Sequence, residues 1–215
     1  MPKLEVPGRE VRCELLVRKS RFIASLGPCS SVDEARQFIE RVRREFPDAS
    51  HHVTAYLVGH GNSQEAHCSD AGEPSGSAGR PVLAVLQGSG LGDVVAVVTR
   101  YFGGTKLGVG GLVHAYGDAT RRALHILPRA GKVLAHQVNL GYTYALVERV
   151  RKLAQAHGGQ IINETFAEQV DAVAQLPVES WPRFEQELGD LSAGSAIMMI
   201  LETGYINIPI QPQDG

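Results

Sequence analysis

The sequence predicts an α+β protein of two domains: a larger one over residues 1–131 and a ferredoxin-like βαββαβ domain over 132–208, with a disordered tail at 209–215. Three observations carry this reading. First, 17 of the 24 glycines lie in residues 1–131, twelve of them between Gly72 and Gly117. Second, residues 1–131 carry a net charge of +3 and residues 132–215 a net charge of −5, an asymmetry that suits two domains. Third, the hydrophobic pattern after residue 131 runs β-α-β-β-α-β, the split-βαβ order.

Along the first domain, Val11–Val17 and Arg21–Leu26 pattern as strands. Ser31-Val32-Asp33-Glu34 is a capping box, after which Ala35, Phe38, Ile39, Val42 and Phe46 follow helical spacing until Pro47 stops the run. Arg36, Glu40, Arg41, Arg43, Arg44 and Glu45 occupy the other face, which reads as solvated rather than as a binding stripe. Val53–Val58 is a strand and His67–Ser69 a short one. A helix begins at Pro81, with proline in its first turn, and runs to Gln87. Val94–Thr99, apolar and β-branched, is a central buried strand, and Gly108–Leu127 is a helix closed by Pro128.

In the second domain, strand Lys132–Tyr144 leads to helix Leu146–His157, which Gly158-Gly159 stops. Strands Gln160–Ala167 and Gln169–Leu176 follow, then helix Glu179–Leu188 and strand Ala196–Asn207.

Composition excludes several classes. The 24 glycines in 215 residues exceed the roughly 15 that average usage gives, but they have no three-residue period and alternate with apolar segments. Neither collagen nor a flexible linker fits. No run is long and apolar enough for a membrane helix, and no signal sequence precedes the first strand. Cys13, Cys29 and Cys68 show no pairing pattern and read as reduced thiols of a cytoplasmic protein.

Two segments carry chemistry. The loop Asp70–Arg80 is long for a passive connection and holds Asp70, Glu73, Ser75 and Arg80. Its glycines and proline fit either a plain surface loop or a binding loop, and Arg80 favours the second because backbone N–H groups point outward at a helix start. The segment Thr99–Gly111 runs from a buried strand through Gly103 and Gly104 into a helix beginning near Gly108, Gly110 and Gly111, with Arg100, Tyr101 and Lys106 alongside. Strand, glycine loop and helix N-terminus together make an anion site. Close helix–strand packing explains the same glycines, and the two readings are compatible. Lys106 follows Thr105 rather than preceding it, and Val113 stands where a dinucleotide fingerprint needs glycine, so no nucleotide motif is complete. His51, His52, His60, His67 and His114 lack metal-binding spacing, and no metal or cofactor is expected. Gly-x-Ser-x-Gly is absent, and Cys68 reads as a small packed residue rather than a nucleophile.

Ala49-Ser50-His51-His52, Ser69–Pro81, Thr99–Gly111 and the continuation Gly110–Tyr116 closely resemble the YigZ/IMPACT family. The resemblance covers roughly residues 13–128, and residues 132–207 resemble the small second domain of the bacterial members. It implies an N-terminal α/β sandwich similar to elongation factor G domain IV and a second domain similar to its domain V. Two positions depart from the family pattern: Ala71 replaces a second acidic residue, and His114 replaces arginine. The eukaryotic relative acts in translational control through an added N-terminal domain that this sequence does not contain, so that partnership is not carried over.

The expected function is therefore a regulatory module that binds RNA or the ribosome. Arg80, Arg100, Lys106 and the glycine amides would contact phosphate, His114 would add to this basic face, and Tyr101 or Tyr116 would be available for stacking. One alternative is an enzyme acting on a small anionic or phosphorylated substrate, with Asp70 or Glu73 as base and Ser75 a further catalytic candidate. A second is a protein-interaction module whose partner acts in translational control.

Overall fold

The computed structural model describes residues 4–209, with the side chains of 62 and 209 set aside. In chain order the elements are β1 (Leu4–Pro7), β2 (Val11–Val17), β3 (Ser20–Pro28), α1 (Val32–Glu45), β4 (His51–Val58), β5 (Glu65–Ser69), α2 (Gly79–Gly88), β6 (Val94–Tyr101), α3 (Gly108–His125), β7 (Arg129–Tyr142), α4 (Val147–Ala156), β8 (Gln160–Phe166), β9 (Val170–Pro177), α5 (Trp181–Leu191) and β10 (Ile197–Pro209). Contacts divide the chain into two compact units, the second being Lys132–Ile206. The fold is α+β with antiparallel sheets, and the second unit is ferredoxin-like.

The first unit is built around an antiparallel sheet of order β2-β3-β6-β4-β5. β6 lies at its centre, and every residue from Val94 to Arg100 is buried. A continuous apolar run is usual in parallel sheets. Here an antiparallel strand shows it because helices cover both faces of the sheet. Val95 and Val97 pack with Ala35, Phe38 and Val42 of α1. Val94, Ala96 and Val98 pack with Val82 and Leu86 of α2 and Leu112, Tyr116 and Ala119 of α3. The period of two along β6 thus divides one strand between two cores.

Ser31 caps α1: its Oγ accepts the Glu34 N–H at 3.2 Å. The Glu34 carboxylate reaches the Ser30 N–H at 2.7 Å, one residue earlier than a standard capping box. The charged face of α1 is solvated, with Arg43 on Glu40 of the same helix at 2.6 Å and Arg41 on Glu10, ahead of β2, at 2.5 Å. Strand β1, which ends on Pro7, has no counterpart in the sequence pattern.

In the second unit β10 pairs with β7, which pairs with β9, which pairs with β8. Along β9, Val170, Ala172, Ala174 and Leu176 alternate inward, and they meet Val150 and Ala154 of α4 and Phe184 and Leu188 of α5. Gly158 adopts φ +71° just after α4, and the Gly159 N–H returns to the Ala154 carbonyl at 2.8 Å. Pro209 closes β10 instead of opening a tail, and the rest of the expected tail, 210–215, lies outside the described residues. No helix among the described residues is long and apolar enough to cross a membrane.

Candidate functional site

The two chemistry-bearing segments meet in the first unit, and Asp70 organises the first of them. Its carboxylate accepts the N–H groups of Gly76 at 2.8 Å, Ala78 at 3.0 Å and Gly79 at 2.8 Å. It therefore caps α2 from upstream and fills the anion position that an outside ligand would take. Burial raises its pKa, but the three amide donors outweigh burial and hold the carboxyl below its usual range. Gly79 has to be glycine, since a Cβ there would lie 2.8 Å from the backbone of Ser69.

Glu73 is the convergence point. Its Oε1 accepts from Arg100 Nη1 at 2.6 Å and from the Tyr116 hydroxyl at 2.7 Å. His51 Nε2 lies 3.9 Å from the same oxygen. His51 Nδ1 faces the Ala71 carbonyl at 3.0 Å, and a carbonyl only accepts, so Nδ1 donates. The side chains of Arg100 and Glu73 are 6% and 4% exposed. The Arg100 guanidinium also stacks on Phe22 and Phe102. Burial, with the Glu73 charge beside it, raises the Tyr116 pKa strongly, so the phenol stays a donor.

These contacts reassign several expected site residues. Arg100 does not face solvent beside the glycine loop; it is neutralised by Glu73. Tyr116 is buried beneath Glu73 and presents no face for stacking. Asp70 and Glu73 are both engaged by internal donors, Asp70 by three backbone N–H groups and Glu73 by Arg100 and Tyr116. Ser75 is exposed on the loop. His114 lines a groove between α2 and α3 rather than the glycine loop. Among the described residues no group of three or more His, Cys, Asp or Glu is placed to hold a metal ion.

The second segment is anchored at its start and open beyond it. The Tyr101 hydroxyl donates to Asp48 at 2.9 Å, the Phe102 N–H to Ser50 Oγ at 3.1 Å, and the Gly103 N–H to Ser20 Oγ at 3.2 Å. A Cβ on Gly103 would fall 2.0 Å from the Lys19 carbonyl, so this glycine serves close packing. Gly104 and Gly108 adopt φ +85° and +73°, and a Cβ on either, or on Gly110, would meet nothing within 4 Å. A Cβ on Gly111 would crowd only Leu107, at 3.1 Å. The α3 N-terminus has no side-chain cap and no acidic residue in its first turn. Lys106 is exposed beside it, and Arg80 is exposed at the start of α2.

Arg18 and Lys19 escaped the sequence reading. They form the two-residue turn between β2 and β3, Val17 pairing with Ser20. Both adopt positive φ, 44° and 69°, which non-glycine residues rarely do. Because β3 also pairs with β6, Arg21 opposite Tyr101, the turn sits against Gly103. The signal in the sequence was Val17-Arg-Lys-Ser20 between two strands, but its neighbour follows only from the long-range pairing. Neither residue, nor Lys106, has a carboxylate partner among the described residues.

The match to known proteins covers both units. Residues 18–124 match the family model described as Impact N-terminal domain, and residues 140–195 match a domain of unknown function (DUF1949). The chain is 39% identical over 198 residues to the IMPACT family member YigZ of Escherichia coli (strain K12), covering 92% of this chain and 97% of that protein. It is 31% identical over 193 residues to the IMPACT family member YvyE of Bacillus subtilis (strain 168), covering 90% and 88%. A solved structure described as a crystal structure of an hypothetical protein is 38% identical, with a TM-score of 0.61 and coverage of 94% of this chain and 98% of that one. With relatives aligned over nearly the whole of both chains, the protein belongs to the IMPACT family.

Proposed function

We propose that the protein is a regulatory module in translational control that binds the sugar–phosphate backbone of RNA, free or in the ribosome. The binding surface is the end of the first unit where the Arg18–Lys19 turn meets the Gly103–Gly111 loop. One observation carries this reading: three cations without a carboxylate partner among the described residues, Arg18, Lys19 and Lys106, gather about a glycine loop whose backbone is open to approach at Gly104, Gly108 and Gly110. The uncapped α3 N-terminus adds outward N–H groups and the positive end of its dipole. Phe102, half exposed, and Tyr101 supply aromatic faces for a base. Glu73 and Arg100 act underneath, fixing the strand end that carries the loop.

This reading is favoured over catalysis because both acidic candidates for a base are consumed internally. The three thiols are also poor nucleophiles: burial raises the pKa of Cys13 and Cys68 and pushes Cys29 up to about 12.

The test is single-stranded RNA affinity measured against salt. Each phosphate contact contributes about −0.7 to the slope of log affinity on log salt. Lys106→Glu should weaken binding and flatten the slope. Unchanged affinity and slope in that variant would remove the proposal.

A further inference from the structure

A second surface lies on the first unit, away from the residues given a role above. A groove of about 800 Å³ runs between α2 and α3. Ala84 and Val85 from α2, with Val113 and Leu124 from α3, give it apolar walls. Arg121 from α3 and Arg129 just beyond bring positive charge, His114 and His125 add ring nitrogens, and no carboxylate is among the described residues that line it. Along α3 the lining positions His114, Gly117, Arg121 and Leu124 are three or four residues apart, so they form one stripe.

Two glycines in this lining are not required by the protein's own packing. A Cβ on Gly88 would meet nothing within 4 Å, and one on Gly117 would meet only the flexible tip of Arg121. Glycine weakens a helix relative to alanine. Gly117 lies within α3, where it weakens the helix, whereas Gly88 closes α2, where glycine is an ordinary terminus; both leave the groove free of side chains at those points.

The charges are available. Arg121 pairs with Asp118 at 2.6 Å, but the two side chains are 56% and 52% exposed. Arg129 pairs with Glu5 at 2.5 Å, also on the surface. Exposed pairs of this kind contribute little, so both guanidiniums can exchange partners for an incoming carboxylate.

We propose that this groove receives an acidic amphipathic α-helix from a protein partner. Apolar side chains of that helix would pack on Ala84, Val85, Val113 and Leu124, and its carboxylates would meet Arg121, Arg129 and the two histidines. Charge complementarity selects an acidic occupant. The apolar walls favour a helix over a phosphate backbone, which has nothing to bury against them.

The test uses the full chain, isotope-labelled for amide NMR, and a synthetic helix-forming peptide of about 18 residues, long enough to hold a helix. The peptide carries Leu at i, i+3, i+4 and i+7, Glu at the positions flanking that stripe and Ala elsewhere; a control peptide carries Lys in place of Glu. The acidic peptide should shift amides of α2 and α3, and the control should not. Ala84→Glu and Arg121→Glu, both at exposed positions, should each weaken the acidic peptide about tenfold or more through charge repulsion. The proposal is overturned if both peptides bind alike, if no groove amide shifts, or if neither variant changes the affinity. It is also overturned if a single-stranded RNA shifts the same amides with higher affinity than the peptide.

Discussion

Replacing Arg18 and Lys19 by Asn and Gly should move stability and RNA binding in opposite directions. The present turn holds two non-glycine residues at φ 44° and 69°. Left-handed backbone costs about 1–2 kcal/mol per ordinary residue. Glycine pays almost none of that and asparagine less than most, and Asn-Gly is the preferred pair for this turn. Relief at both positions should raise stability by roughly 1–2 kcal/mol, or about 2–4 °C in melting temperature per kcal/mol for a chain of this size. The same change removes two cations. If each touches one phosphate, the salt slope should flatten by about 1.4. Thermal denaturation and fluorescence anisotropy with single-stranded RNA, across a salt series, read the two effects. A variant that is more stable yet binds RNA with unchanged affinity and slope would show that the turn is strained for some other reason. A variant that is less stable would show that the turn is not strained.

Three further outcomes follow from the buried contacts. Glu73→Gln should destabilise the protein by about 3–5 kcal/mol in a urea titration, because it strands the Arg100 charge in the core. Gly103→Ala should cost about 1–3 kcal/mol in the same titration, since its Cβ would strike the Lys19 carbonyl and force the turn away from the loop. Asp70→Asn should flatten the acid limb of the stability curve. The folded pKa of Asp70 lies below its unfolded value, so its contribution is present above about pH 4 and is lost as pH falls through the folded value.

Local chemistry made much of the fold readable. The Ser31 cap, the period of α1, the buried run of β6 and the Gly158 stop each depend on residues within a turn or two of one another. The site was less readable because its partners are distant in sequence. Arg100 looked like a free cation at a strand end, and only the fold shows Glu73, 27 residues earlier, on its guanidinium. Tyr116 patterned as a helix aromatic, and its burial depends on the same carboxylate. Asp70 looked like a reactive acid, yet its donors lie six to nine residues ahead, beyond any standard capping spacing. The Arg18–Lys19 turn gained its neighbour from the β3–β6 pairing, which no local pattern encodes.

The Glu73 oxygen that joins Arg100 and Tyr116 also changes what kind of segment 70–79 is. By its composition it is a surface loop, the sort that opens freely and is cut first by a protease. By its bonds it belongs to the core, because lifting it would expose a buried carboxylate, a guanidinium and a phenol together. Its amides at Gly76, Ala78 and Gly79 should therefore exchange with solvent as slowly as those of β6, and the segment should resist nicking until the whole unit unfolds.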